Sequence, residues 1–213
     1  MVNKPKWRGR ISEWRERVEQ WAFDPEPANI RTSSIFFDFA PLAGDANLAH
    51  DLREEVNVIV EENPPLLYQM MALDLQHKTP VGLLGRFIVD KNGEHKNMLS
   101  LKNGGTVFLV DCIRMFALEA SLQEISTLKR LESLAQRNIF APDTAEHIKA
   151  SYEALNYLRL RHEIALVEGG EEPSHYLDPN LLSKAEQDLL KESFHAVSKL
   201  QDSTKRHFSH APF

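Results

Sequence analysis

Residues 107–121, VFLVDCIRMFALEAS, are apolar on nearly every face of a helix, so the segment cannot lie on a surface with one side in water. It predicts a central helix wrapped by others, each lending it one apolar face. At 213 residues, 42% hydrophobic and 26% charged, the chain has the material for such a core in one or two domains. Arg114 sits in the middle of this segment. A guanidinium there needs Asp111, Glu119, a carboxylate from another helix or an anionic ligand, because leaving it unpaired would cost several kcal/mol.

The flanking sequence supplies the wrapping helices. One is expected from Ser12 to Phe23, with Trp14, Val18 and Trp21 inward and the Asp24-Pro25-Glu26-Pro27 run as its stop. Two more are expected over 46–62 and 64–76, broken at Pro64-Pro65, and three over 127–138, 143–168 and 183–208, with Gly169-Gly170 closing the long one. Between these lie two extended candidates. Residues 35–39, IFFDF, are strongly β-prone, and residues 84–101 hold short β-prone runs at 87–89 and 98–101 around Lys91-Asn92-Gly93, a small hairpin or ordered loop. The expected fold class is therefore mainly α, a helical bundle with a short N-terminal strand.

Asp38 in that strand is the acid to explain. A carboxylate in a largely buried apolar run is costly unless it is paired or binds a metal, so Asp38 is either a ligand or a satisfied structural acid. An exposed strand over 35–39 would also be a route to a homodimer by edge pairing.

The net charge of −6 argues against a nucleic-acid coat or an anionic-membrane binder. Cys112 is the only cysteine, which rules out an intrachain disulfide and suits a reducing, cytoplasmic compartment with Cys112 as a small core side chain. No apolar run approaches the roughly 20 residues of a membrane span, and no apolar stretch follows the basic N-terminus. A phosphate loop, a dinucleotide glycine fingerprint, a CxxC pair and an HExxH motif are all absent from the sequence. His207 and His210, near the terminus, read as solvated side chains rather than as a metal pair.

The cations are more telling. Arg86 follows Gly82 and Gly85, and Lys102 precedes Gly104-Gly105 at a helix start, where free amides and one cation can cradle phosphate. In the run NYLRLRHEIAL, Arg161 shares a face with Tyr157 and so tends inward. Arg130 opens the helix after the central one and is expected to pair with Glu132 or Glu119.

Linked segments carry a resemblance over nearly the whole chain: NKPKW with Trp14 and Trp21, IFFDFAPLAGDANLAHDLR, PVGLLGRF, LSLKNGG, CIRMFAL, STLKRLESL, YLRLRHE, LDPNLLSKAEQDLLKESF and LQDSTKRHF. In this order and spacing they resemble the nucleotidyltransferase substrate-binding region of bacterial proteins related to PII-protein uridylyltransferase, which is often joined to cyclic-nucleotide-binding and CBS domains. The resemblance implies an upstream catalytic nucleotidyltransferase domain or subunit with a glycine-serine motif and paired acids for divalent metal, completed by a helical substrate domain. No glycine-serine motif followed by an acid-x-acid pair occurs ahead of Asp38. It implies that residues 1–45 are the tail of the α/β catalytic domain and 46–213 the helical substrate-binding domain. Asp38 would be the third metal-binding carboxylate, holding Mg2+ once the catalytic half is present. The position after FDF, often arginine in relatives, is Ala40. Arg86, Lys102, Arg114, Arg130 and Arg161 become the basic positions for a nucleoside triphosphate or an acidic protein acceptor.

Two readings follow. In one the chain is the substrate-recognition part of a nucleotidyltransferase and does no chemistry alone. In the other it is an independent helical regulatory module of a bacterial signalling protein. Exposed Phe36, Phe37 or Phe39 would favour the first, and a covered surface there the second.

Overall fold

The computed structural model describes residues 7–24, 26–82 and 85–209. Among these are eight α-helices: α1 (Ile11–Phe23), α2 (Pro27–Phe36), α3 (Asn47–Glu62), α4 (Pro64–Asp74), α5 (Val107–Glu119), α6 (Thr127–Gln136), α7 (Pro142–Glu168) and α8 (Lys184–Phe208). Among the described residues extended structure is confined to β1 (Leu99–Ser100) and β2 (Tyr176–Leu177), paired antiparallel with Leu99 opposite Leu177, and an isolated bridge between Val81 and Phe87. The molecule is mainly α, as expected.

α5 is the axis of the bundle. It packs on α3, α4, α6 and α8, and Phe108, Leu109, Cys112, Ile113, Met115, Phe116, Ala117 and Leu118 along it are buried. Each large apolar side chain removed from water contributes on the order of 1.5–3 kcal/mol, so the helix apolar on every face is also the one that unites the core. α7 and α8 pack along each other behind it, and α8 begins with a capping box in which Ser183 Oγ and Glu186 serve each other's free backbone amides.

A π-helical turn, Lys102–Thr106, leads into α5, closed by Thr106 N–H donating to Leu101 O at 3.2 Å. Its two glycines are there for space. A Cβ on Gly104 would lie 2.7 Å from Cδ and 2.9 Å from Cγ of Pro80, and one on Gly105 would lie 3.1 Å from both Leu155 and Phe194. The proline ring cannot swing aside, so Gly104→Ala is expected to destabilise the fold by about 1–3 kcal/mol, read as a lower urea midpoint with unchanged slope.

The strand expected over 35–39 does not exist. Pro27 starts a helix at its first turn. Ile30, Ser33 and Phe37 recur at helical spacing and are buried, while Ile35 is 64% exposed. A strand would put residues 35, 37 and 39 on one face; instead Phe36 and Phe39 meet one turn apart at 5.2 Å, and Phe36 stacks on Trp14 at 4.8 Å. Packing against α1 overrides the β preference of the aromatic residues, and the edge pairing that was to make a homodimer has no strand to use. Residues 87–101 form an ordered loop rather than a local hairpin. Asp90 N donates to Met98 O at 2.9 Å and Asn97 N to Asp90 O at 2.8 Å, whereas β1 finds its partner in β2, far along the chain. The NKPK segment, Leu83, Leu84 and His210 lie outside the described residues. No helix among those described is long and apolar enough to cross a membrane.

Candidate functional site

Behind α5 a polar knot ties three helices together, and its construction starts at the end of α2. Arg53, buried on α3, donates to the carbonyl of Phe37 at 2.5 Å and to that of Phe39 at 3.0 Å, with its guanidinium 4.3 Å over the Phe39 ring. These are the carbonyls on either side of Asp38, so Arg53 terminates α2 and aims the acid. Asp38 Oδ2 accepts from Arg114 Nη2 at 2.6 Å and Nε at 3.0 Å, and Oδ1 lies 2.6 Å from Arg130 Nη2 in an ion pair. Arg114 also donates to Asp111 and to Ser34 Oγ at 3.3 Å, and Arg130 Nε donates to the carbonyl of Glu124 at 2.6 Å. Arg114 is 8% and Arg130 2% exposed at the side chain.

The electrostatics follow from the contacts. Burial pushes the Asp38 carboxyl upward, but the bonds and charge of Arg114 and Arg130 outweigh it and hold the group below its ordinary 3.8. Burial works against the charge of Arg114, and Asp38 with Asp111 more than offsets that. Asp111 goes the other way, raised chiefly by burial against the pull of Arg114.

On the other side of this knot a cleft of about 750 Å³ opens between α2, α4, α5, α7 and the π-turn. Met70, Leu73, Phe108 and Met115 are among its apolar lining, and Arg31, Lys102 and Arg159 line it as cations. Asp74 of α4 and Asp111 of α5 line it as well. Asp74 is 9% exposed and has no ion pair among the described residues. Burial, and secondly the charge of Asp111, raise it to about 7. The Cys112 thiol lies 3.7 Å away, fully buried and itself pushed upward by burial.

The residues singled out from sequence therefore divide. Asp38, Arg114 and Arg130 meet in the knot, and Arg114 and Lys102 also reach the cleft. Arg86 is exposed, next to Phe87 in the loop that the Val81–Phe87 bridge closes. Arg161 does not turn inward: it is 44% exposed and pairs with Glu186 across α7 and α8. Arg130 takes Asp38 rather than Glu132 or Glu119, and Glu119 instead meets His207 at 2.7 Å. Arg53, Asp74 and Arg159 were not picked out as site residues. The signal for Asp74 was present, since an acid one turn after Met70 and Met71 in an apolar helix poses the same question as Arg114.

Within this chain the carboxylate of Asp38 is committed to arginines. Both of its oxygens face guanidinium groups, and no group of three His, Cys, Asp or Glu among the described residues could hold a metal ion. What the cleft offers is a chamber whose apolar lining carries three cations, Arg31, Lys102 and Arg159, together with the acids Asp74 and Asp111.

Neither the curated proteins nor the solved structures contain a match to the chain. One family model does match, over residues 64–208, a span that includes α4, the π-turn, α5 and α7 and so most of the cleft wall. The chain belongs to the family described as "Putative nucleotidyltransferase substrate binding domain".

Proposed function

We propose that the chain is the substrate-recognition part of a nucleotidyltransferase of the PII-protein uridylyltransferase kind, and that its cleft receives an anionic substrate. The glycine-serine motif, the paired acids and Mg2+ belong to a catalytic domain or subunit working beside it. The observation that supports this reading is a cluster of cations: Arg31, Lys102 and Arg159 line one cleft, on a chain whose net charge is −6, and two of the three lie within the span matched by the family. Asp38 is assigned a structural role in this reading, joining α2 to α5 and α6, and Arg86 and Arg161 lie outside the cleft.

Calorimetric titration with ATP and UTP, with and without Mg2+, tests it. Binding is expected without a requirement for Mg2+, and the double charge reversal Lys102→Glu with Arg159→Glu is expected to weaken it at least tenfold, about 1.4 kcal/mol. Failure of both nucleotides to bind, or equal binding by the variant, would sink the reading. One observation favours the second reading, an independent regulatory module: Phe37 is buried, and Phe36 and Phe39 pack within the α1–α2 layer, so the aromatic surface is covered without a partner.

A further inference from the structure

Histidines from three separate parts of the chain meet around Tyr176 of β2, beside the π-turn that carries Lys102. The His95 ring stacks on the Tyr176 ring with centroids 3.5 Å apart, and the His175 ring lies 4.8 Å from it. His162 of α7 donates from Nε2 to the Tyr176 carbonyl at 2.8 Å. The carbonyl of His175 accepts from Leu101 N–H at 3.0 Å, and Leu101 is the residue on which the π-turn closes. His175 is thereby tied to the residue before Lys102, while His162 sets the adjacent Tyr176 against the face of α7 that also carries Arg159 and Glu163. Lys102 and Arg159 both line the cleft; His175 does not. The charged and titratable groups facing the His175 imidazole are accordingly Lys102 from the π-turn, Arg159 and Glu163 from α7, and His95 from the loop before β1. Its Nε2 is buried without a hydrogen-bond partner among the described residues, so no bond at that nitrogen fixes the proton of the ring. Burial, and next the charge of Lys102, hold the imidazole below its ordinary 6.5, with His95 and Arg159 acting in the same direction and Glu163 against them.

We propose that His175 is a positioning residue of the anion site, taking up a proton from solvent when an anion settles on Lys102 and Arg159. The inference rests on the reading of the cleft as the pocket for an anionic substrate and adds its regulation: affinity for that substrate is tied to pH through a side chain outside the pocket lining. In the free chain Lys102 and Arg159 oppose a further positive charge beside them. An anion seated on both offsets their charge and leaves Glu163 to favour the imidazolium. The coupling is reciprocal, so a proton on His175 strengthens anion binding by the same factor by which the anion strengthens the binding of the proton.

The test follows the imidazole resonances of the wild-type chain against pH, with and without saturating UTP, His175 being assigned through its own backbone amide. The His175 ring is expected to titrate at higher pH when UTP is bound. Calorimetry with UTP stands beside it: between pH 8 and pH 5 the affinity of the wild type should rise by about threefold to tenfold more than that of His175→Gln. Comparing the two removes the proton that the triphosphate itself gains, and the variant is expected to keep the fold because the bond to Leu101 comes from the backbone. An unmoved His175 titration, or the same pH dependence in wild type and variant, would overturn the proposal. A His175 shift that survives Lys102→Glu with Arg159→Glu would overturn it too, since the proton would then answer to an anion held elsewhere. UTP binding that responds to the double reversal while His175 stays unmoved removes the proton linkage alone, and absence of UTP binding removes the reading of the cleft together with it.

Discussion

Asp38→Asn is expected to cost about 3–5 kcal/mol of folding free energy, because it leaves two buried guanidinium groups facing a neutral amide. Arg130, 2% exposed at the side chain, has no other acid in contact and keeps only the Glu124 carbonyl, whereas Arg114 retains Asp111. The larger share of the loss is therefore expected at the α6 side, and the double variant Asp38→Asn with Arg130→Met should recover part of it by removing the stranded charge. Urea unfolding measures both, as a shift of midpoint at constant slope. A loss below 1 kcal/mol in the single variant would mean that water reaches Arg130 and that the knot is not a dry ion pair. The pH dependence has a definite sign: Asp38 is held below its ordinary 3.8, so its contribution is complete above that value and is lost as pH falls below it.

Asp74→Asn is expected to do the reverse and stabilise the protein. A carboxyl that titrates at 3.8 in the unfolded chain and at about 7 when folded binds more protons in the folded state between those values, so stability falls as pH rises through that interval. Above pH 7 the penalty is on the order of 4 kcal/mol at 1.36 kcal/mol for each tenfold change, and the asparagine, whose amide protons need acceptors of their own, should recover about 2–4 kcal/mol of it. The gain should be absent near pH 4 and full at pH 8, read by thermal or urea unfolding at both. Equal stability of variant and wild type at pH 8 would show that Asp74 is solvated or paired.

Most of the helices were legible because each has a face that repeats at 3.6 residues and a proline, glycine or serine at its ends; α3 to α8 lie within a few residues of where periodicity puts them. α2 was not, since its inward residues Ile30, Ser33 and Phe37 include a serine, and the aromatic run that follows has the composition of a strand. The β1–β2 pairing was hidden for a different reason: turn signals such as Lys91-Asn92-Gly93 speak only of neighbours in sequence. In the site, burial logic applied to Arg114 led to Asp111, while its other partner, Asp38, comes from the turn after α2 rather than from a helix. The same logic was misled at Arg161, because helical spacing says which residues share a face but not which face is covered. Tyr157, Leu160, Ile164 and Val167 on that part of α7 are all about half exposed. Arg53 could not have been recognised, as its partners are backbone carbonyls.

Trp7, Trp14 and Trp21 are the chain's three tryptophans, and they gather with Phe36 in one layer, Trp7 and Trp14 stacked at 6.3 Å and Trp21 set edge-on to both Trp14 and Phe36. All of them precede residue 64, where the family match begins. The tryptophan emission of this protein is therefore a local optical label: it registers the docking of the first two helices on the bundle, and so of α2 as one wall of the cleft.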